Sequence, residues 1–449
     1  MKRDEIETAV TSVLGDVVAD LGALVEYPSV SAPGFSKAPV MAAASATAEL
    51  LTRYGVPDVQ LLDVPDGYPA VWADVPGPAE APTVLLYAHY DVVPATFHDG
   101  WTSEPWTMVE RAGRLYGRGT ADNKSGIVMH AAAMHVFGGR VPVSVKILIE
   151  GEEETTSHLH DLIVKDPARF AANVVVVADM GNLATGEPAL TTSLRGDLAC
   201  VITVRTLDHS LHSGEFGGPI PDAMMVLVRV LDRLVDEHGE VAALAVHEAG
   251  WTGHTLQADR LRRDAAVLKG VKFIGRGSLA ARLWSKPAVT IIGVDAPGVA
   301  EASNRLLPEA SAKVSFRIPA GQDPQAAASA ITDHVRTAVP WGAQVGVDFT
   351  KSYAGFSTPE GGAGMEAARD ALEEAYGRPC ATIGSGASVP LLAVLGSAMP
   401  DAEFVLLGAA DLAMARAHGT DESVDRKELE RMIVAEALLL ERLGAHRGD

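Results

Sequence analysis

Thr83-Val84-Leu85-Leu86-Tyr87-Ala88-His89-Tyr90-Asp91 is the stretch whose reading decides the fold. From Thr83 to Ala88 the run offers no polar face to water, so it predicts a strand buried on both sides, as in sheets covered by helices. His89 stands at its carboxyl end, the edge where such sheets gather functional side chains. The pattern repeats downstream. Val141 to Ile149 is a second buried strand, delivering Glu150-Gly151-Glu152-Glu153-Glu154, and Asn173 to Ala178 is a third, delivering Asp179. Helical patterns precede and separate them. Asp4 to Glu26 sets Ile6, Val10, Leu14, Val17, Leu21 and Leu24 on one face before Pro28 ends it. A second helix is expected from Pro39 to Gly55, and a third from Lys124 to Phe137. Strands alternating with helices predict an α/β fold with a largely parallel sheet sandwiched by helices.

The pattern changes after Thr192. Leu198 to Thr206 alternates like a half-exposed strand, Pro221 to Val235 is helical, Val289 to Val294 and Ala312 to Ile318 are strands, Pro324 to Ala338 is a helix, and Gln344 to Thr350 closes the series. This β-α-β-β-α-β unit predicts an inserted α+β domain over 194–356, within a catalytic domain of 1–193 and 357–449. Val246 to Lys286 reads as an irregular insertion whose purpose periodicity does not reveal. From Thr358 the α/β character returns, with a helix to Tyr376, the strand Glu403 to Leu407, a loop carrying His418, and a helix from Lys427 to Leu443.

The 449 residues exceed one ordinary core, which agrees with two domains. A formal charge of −21 argues against nucleic acid or an anionic membrane as partner, since either needs a basic face. Acidic residues follow Lys2 and Arg3 with no apolar core behind them, so no secretory leader is expected. No eighteen apolar residues run together, so no membrane span is expected. Cys200 and Cys380, far apart, read as buried free thiols in a reducing cytoplasm.

The residues that carry chemistry lie in loops. In Gly117-Arg118-Gly119-Thr120-Ala121-Asp122-Asn123-Lys124-Ser125-Gly126 the glycines are of the kind that cradle phosphate, but neither phosphate-loop nor dinucleotide spacing is matched. Its company decides: His89 and Asp91 upstream, then Glu153, Glu154, Asp179 and His418. Three adjacent carboxylates directly after a buried strand repel one another unless cations compensate them. Two imidazoles with several carboxylates and no thiolate suit zinc, with manganese or cobalt as alternatives. Asp91, two residues from His89, is placed to accept the second ring N–H of a metal-bound imidazole. Two ions sharing a bridging carboxylate, with water held between them, make the two-metal hydrolytic arrangement. One further carboxylate must then stay off the metals as general base.

The ordered motifs His89-x-Asp91-Val92-Val93-Pro94, Gly117 to Lys124, Glu150-Gly151-x-Glu153-Glu154, Ser210-Leu211-His212-Ser213-Gly214, Asn304 with Arg317, and Gly386-Ala387-Ser388-Val389-Pro390 make the chain similar to a family of dinuclear zinc metallopeptidases. That family includes carnosinase-like nonspecific dipeptidases, carboxypeptidase G, acetylornithine deacetylase and succinyl-diaminopimelate desuccinylase. The chain resembles the dipeptidase branch most, nearly end to end. The resemblance implies that Asp122 bridges two ions, that His89 and Asp179 complete one site and Glu154 and His418 the other, and that Glu153 is the base. It implies that the inserted domain is a lid and dimerisation domain and that His212 stabilises the oxyanion in the partner subunit's site of a homodimer. It further implies that Asn304, Arg317, Gly386 and Ser388 hold a substrate carboxylate. Three stretches depart from the family pattern. Glu152 stands where an apolar residue is usual, and Gly384-Ser385 with Ala387 replaces the usual motif before Ser388. Asn123 replaces a second aspartate, with the cis peptide of that position still expected.

The implied activity is amide hydrolysis of dipeptides or similar small substrates with a free carboxylate, in the cytoplasm. The alternatives are an N-acyl-amino-acid deacylase on the same scaffold and a non-catalytic ligand-binding dimer. The remaining histidines, among them His130, His135, His158 and His160, are read as structural.

Overall fold

The computed structural model describes residues 1–244 and 250–445. The chain divides into two compact units, the first built from Met1–Thr192, Thr358–Ile383 and the segment from Leu391 onward, the second from Ser193–Ser357 and Gly384–Pro390. Grouping of Gly384–Pro390 with the second unit was not expected. It follows from local contacts there: Arg195 N donates to Ser385 O at 3.3 Å, and a Cβ at Gly384 would lie 2.6 Å from Trp284 Cβ.

In the first unit the sheet runs Gln60–Leu62, Ala70–Val75, Ser144–Glu150, Thr83–His89, Val174–Val177, Glu403–Leu406, Ala189–Leu194. Thr83–His89 lies parallel to both neighbours, and Val174–Val177 parallel to Glu403–Leu406. The outer pairings are antiparallel, so the sheet is mixed with a parallel centre. The register that matters sets His89 beside Glu150 and Tyr87 beside Val177. The carboxyl ends of three buried strands therefore deliver His89, the glutamates and Asp179 to one edge.

Arg3–Val25 buries Ile6, Val10, Leu14, Val17, Leu21, Leu24 and Val25, each worth about 1.5–3 kcal/mol when removed from water. By length and composition this helix could also cross a membrane. Its buried residues recur every three or four positions and join the core of the first unit, which is the pattern of a packed amphipathic helix. Lys124, at the start of the helix Lys124–Val136, is fully buried. Its Nζ donates to the carbonyls of Leu24 and Tyr27 at 2.8 Å each, and burial lowers its pKa to about 7. On the same helix His130 is structural, as expected: Nδ1 meets Glu436 Oε1 at 2.7 Å and Nε2 meets the Tyr87 carbonyl at 3.0 Å.

The second unit holds an antiparallel sheet in the order Ala288–Asp295, Glu309–Ile318, Gly196–Arg205, Gln344–Tyr353. Leu198, Cys200, Ile202 and Val204 point inward against the helices Ala223–Asp232 and Pro324–Ala338, as period-two alternation predicts. Cys200 and Cys380 are free and buried. The stretch read as irregular contains helices at Ala258–Asp264 and Leu279–Trp284, with Trp251 packed edge-on to Trp284 at 5.0 Å. Its opening residues, 246–249, lie outside the described residues. The first of these helices has no buried residue and so leaves no apolar period to read.

Candidate metal centre

Asp122 is the middle of the site. Its Oδ1 lies 3.1 Å from His89 Nε2 and its Oδ2 lies 3.1 Å from His418 Nε2. Glu154 Oε2 approaches the same His418 nitrogen at 3.0 Å, and Asp179 Oδ1 approaches His89 Nε2 at 3.5 Å. Ligand atoms of His89, Asp122 and Glu154 lie within 4.8 Å of one another, as do those of His89, Glu153 and Asp179. All five expected ligands, drawn from positions between 89 and 418, meet within the first unit.

The Gly-rich loop folds around a carboxylate that carries only a weak signal in the sequence. Glu422 Oε1 accepts from the backbone N–H groups of Gly119, Ala121 and Asp122 at 2.9–3.0 Å, and Oε2 accepts from Arg118 Nη1. Arg118 also donates to the carbonyls of His418 and Gly419 at 3.2 Å. One buried ion pair thus fastens the Asp122 loop to the His418 loop. Removing one partner of such a pair typically costs about 3–5 kcal/mol. Gly119 is required by its φ of +86° and because a Cβ there would lie 2.9 Å from Val92 Cγ1. His418 itself sits at φ +62°, a left-handed conformation that costs a non-glycine residue about 1–3 kcal/mol and clusters at functional sites. The Asp122–Asn123 peptide is cis, as expected. Asn123 Oδ1 accepts from His89 N at 3.2 Å.

Asp91 flanks His89 Nδ1 with its main chain as well as its side chain. The strand ends at His89, so the two side chains do not follow strand alternation. His89 Nδ1 donates to the main-chain carbonyl of Asp91 at 3.0 Å, with the carboxylate at 3.4 Å. A carbonyl only accepts, so Nδ1 carries a proton, and Nε2, once it has released its own, presents its lone pair to a cation. The Asp91 carboxylate also accepts from Glu153 N and Glu154 N at 3.1 Å each and from Ser31 Oγ at 2.7 Å. It sets the backbone of the glutamate turn. Glu152 faces elsewhere, 3.1 Å from His158 Nδ1, which leaves Glu153 and Glu154 as the pair turned into the cluster.

The donor set fits divalent cations. Four carboxylates gather around two imidazoles, and Glu154 Oε1 is buried without a hydrogen-bond partner. An orphaned buried carboxylate oxygen is costly unless a cation meets it. Electrostatics point the same way. Burial, with repulsion from Asp122, pushes Glu154 up to about 7, and hydrogen bonds to Asp122 and Glu154 hold His418 up at about 11. Burial pulls His89 down, but Asp179 and Asp122 raise it well above its usual range. Burial pushes Asp122 up, yet hydrogen bonds from His418 and His89 hold it well below the carboxylate range.

This has a measurable consequence. His418, His89 and part of the Glu154 population carry protons near neutrality, and each must release one to bind a cation. Metal affinity should therefore rise with pH, by about tenfold per pH unit for each proton released. Competition titrations at pH 6 and pH 8 with matched buffers check this; an affinity that is flat or falls with pH contradicts it.

The remaining expected residues lie in the second unit. The short ladder Leu211–His212 with Arg305–Leu306 brings His212 beside Asn304, whose carbonyl accepts from Ser213 N at 3.1 Å. His212 Nδ1 accepts from Gly214 N at 3.1 Å, and its side chain is exposed. Arg317 pairs across the sheet with Asp197, their charged atoms 3.8 Å apart. Gly386 and Ser388 lie on the Gly384–Pro390 segment of the same unit.

Residues 85–442 match the model of the peptidase family M20/M25/M40. Over 369 residues, 80% of this chain and 81% of the relative, the sequence is 41% identical to the cysteinylglycine-S-conjugate dipeptidase of Corynebacterium striatum. It is 26% identical over 392 residues to the Beta-Ala-His dipeptidase of Rattus norvegicus, covering 83% of this chain and 78% of that protein. The crystal structure of human carnosine dipeptidase 1 has the same fold, with a TM-score of 0.86 over 99% of both chains at 23% identity.

Proposed function

The chain belongs to the peptidase family M20/M25/M40, and from that premise we propose that it is a metal-dependent dipeptidase acting on dipeptides with a free carboxylate. The observation that carries this reading is Asp122, whose two oxygens face two different imidazoles, each with its own second carboxylate. His89 and Asp179 would hold one divalent ion, Glu154 and His418 the other, with Asp122 shared. Zinc suits these donors first, manganese or cobalt next. Bound there, two such ions supply Lewis-acid charge and lower the pKa of water toward neutrality.

The chain's own groups do the rest. Glu153 takes a proton from the attacking water and passes it to the leaving amine. Its backbone N–H, fixed on Asp91, holds that carboxylate in place. His212 donates to the developing oxyanion. Arg317, with Asn304, Gly386 and Ser388, orients the substrate through its carboxylate.

We further propose that the second unit serves as lid and dimerisation domain. Its edge strand Ala288–Asp295 leaves Ile291, Ile292 and Val294 about half exposed, at 47%, 53% and 46%. An apolar edge strand is a template for pairing, and a second copy of this chain is the partner that would bring His212 to a neighbouring site. Light scattering should give twice the 47.0 kDa chain mass; a monomer that turns over at full rate would remove His212 from the mechanism. Two free, buried thiols support a cytoplasmic setting, which cell fractionation tests.

The deciding experiment is a turnover screen of dipeptides against acetylated and succinylated amino acids, with zinc or manganese added. Hydrolysis of dipeptides supports the reading. Hydrolysis of the acylated amino acids alone overturns it in favour of a deacylase.

A further inference from the structure

The roles assigned so far leave one buried cation of the second unit unused. Arg195, immediately before the strand Gly196–Arg205, is 7% exposed. Its Nη1 donates to the Lys286 carbonyl at 3.2 Å. Nε is buried with no hydrogen-bond partner, and among the described residues no partner is found for Nη2. A largely buried guanidinium whose Nε is desolvated and unpaired, and whose Nη2 has no protein acceptor, is unfavourable unless an anion completes it.

Its neighbours define what kind of anion. Burial, and then the charge of nearby Arg317, lower the Arg195 pKa to about 10. Asp197 offsets Arg317 across the ladder, so the group of three retains one uncompensated positive charge. That matches a single carboxylate and neither a neutral amide nor a dianion. Access is preserved at Gly386. A Cβ there would lie 2.6 Å from Arg195 Nη2 and 3.3 Å from the Leu283 carbonyl, so any larger residue crowds the open side of the fork. Leu283 and Lys286 belong to the inserted stretch, which gives that stretch a purpose its periodicity concealed.

We propose that Arg195 is a second carboxylate-recognition residue, forming with Arg317 and Gly386 a recess for the one free carboxylate of the substrate, walled by the segment 279–286. This rests on the dipeptidase reading and adds a specificity element to it. Guanidinium takes carboxylate through two parallel N–H bonds, so a C-terminal amide is rejected here.

The test compares metal-loaded, full-length wild type with Arg195→Gln and Arg195→Lys, on the dipeptide turned over best and on its C-terminal amide. Losing a charge-assisted hydrogen bond should lower affinity roughly tenfold to a hundredfold. Arg195→Gln is expected to raise KM for the free dipeptide by that factor with a much smaller change in kcat, and to shrink the free-acid to amide ratio of kcat/KM equally. Arg195→Lys, which keeps the charge but not the fork, should recover part of the ratio. It carries the test alone if the Gln variant does not fold. Equal losses on both substrates mean a merely structural role and overturn the proposal, as does an unchanged ratio. If wild type hydrolyses dipeptides and only the ratio test fails, the recess is wrong and the activity stands. If wild type hydrolyses no dipeptide, the activity assignment fails and this proposal with it.

Discussion

Asp122→Ala should leave a folded protein with no detectable turnover and with neither divalent ion retained after dialysis. The expectation follows from geometry. Asp122 lies 3.1 Å from both His89 and His418, through different oxygens. Each candidate site keeps only one imidazole and one carboxylate once it is gone, and two donors do not make a metal site of useful affinity. The loop should survive, because Glu422 is bound to the backbone N–H of residues 119, 121 and 122 rather than to the Asp122 side chain. Metal analysis beside a thermal melt separates loss of ligand from loss of fold. An Asp122→Ala protein that keeps both ions would dissolve the bridging assignment.

Glu153→Gln should behave in the opposite way, keeping both ions while kcat falls by about 10²–10⁴, the usual contribution of a positioned general base. Burial raises the Glu153 pKa well above the carboxylate range. His89 opposes this, while Asp179, Glu154 and Asp122 add to it. A carboxylate with that basicity, beside cations that restore its anionic form, suits repeated uptake and release of a proton. The amide of Gln keeps the size and loses the basicity. Metal content equal to wild type with a depressed kcat and little change in KM is the expected result. Wild-type kcat in Glu153→Gln would move the base elsewhere, and loss of an ion would make Glu153 a ligand. The second outcome is a real alternative because Glu153 clusters with His89 and Asp179.

What could be read from sequence was set by whether the physics was local. The buried strands ending at His89, Glu150 and near Asp179 announced themselves because a run with no polar face has one stable setting. Glu154 and His418 could be placed on the same edge by resemblance, and the ring contacts with Asp122 agree with that placement. Glu422, in the loop after His418, carries only a weak signal in the sequence because a glutamate in a loop looks solvated until its partners are known. Those partners are backbone N–H groups some three hundred residues earlier, and no periodicity encodes them. Arg195 escaped notice for the same reason, since its isolation shows only once burial is known. The Asp91 carbonyl lies nearer His89 Nδ1 than its carboxylate does, at 3.0 against 3.4 Å, because the chain leaves the strand at His89. The short helices Ala258–Asp264 and Leu279–Trp284 were illegible because fewer than two turns give too few repeats to establish a period.

The measurement closest to the central claim is the metal content of wild type, stripped with chelator and then titrated with zinc or manganese while turnover is followed. Stripped protein is expected to be inactive, activity to return with the ions, and binding to saturate at two per 47.0 kDa chain. Saturation at fewer than two ions with full activity, or undiminished turnover by stripped protein, contradicts that claim.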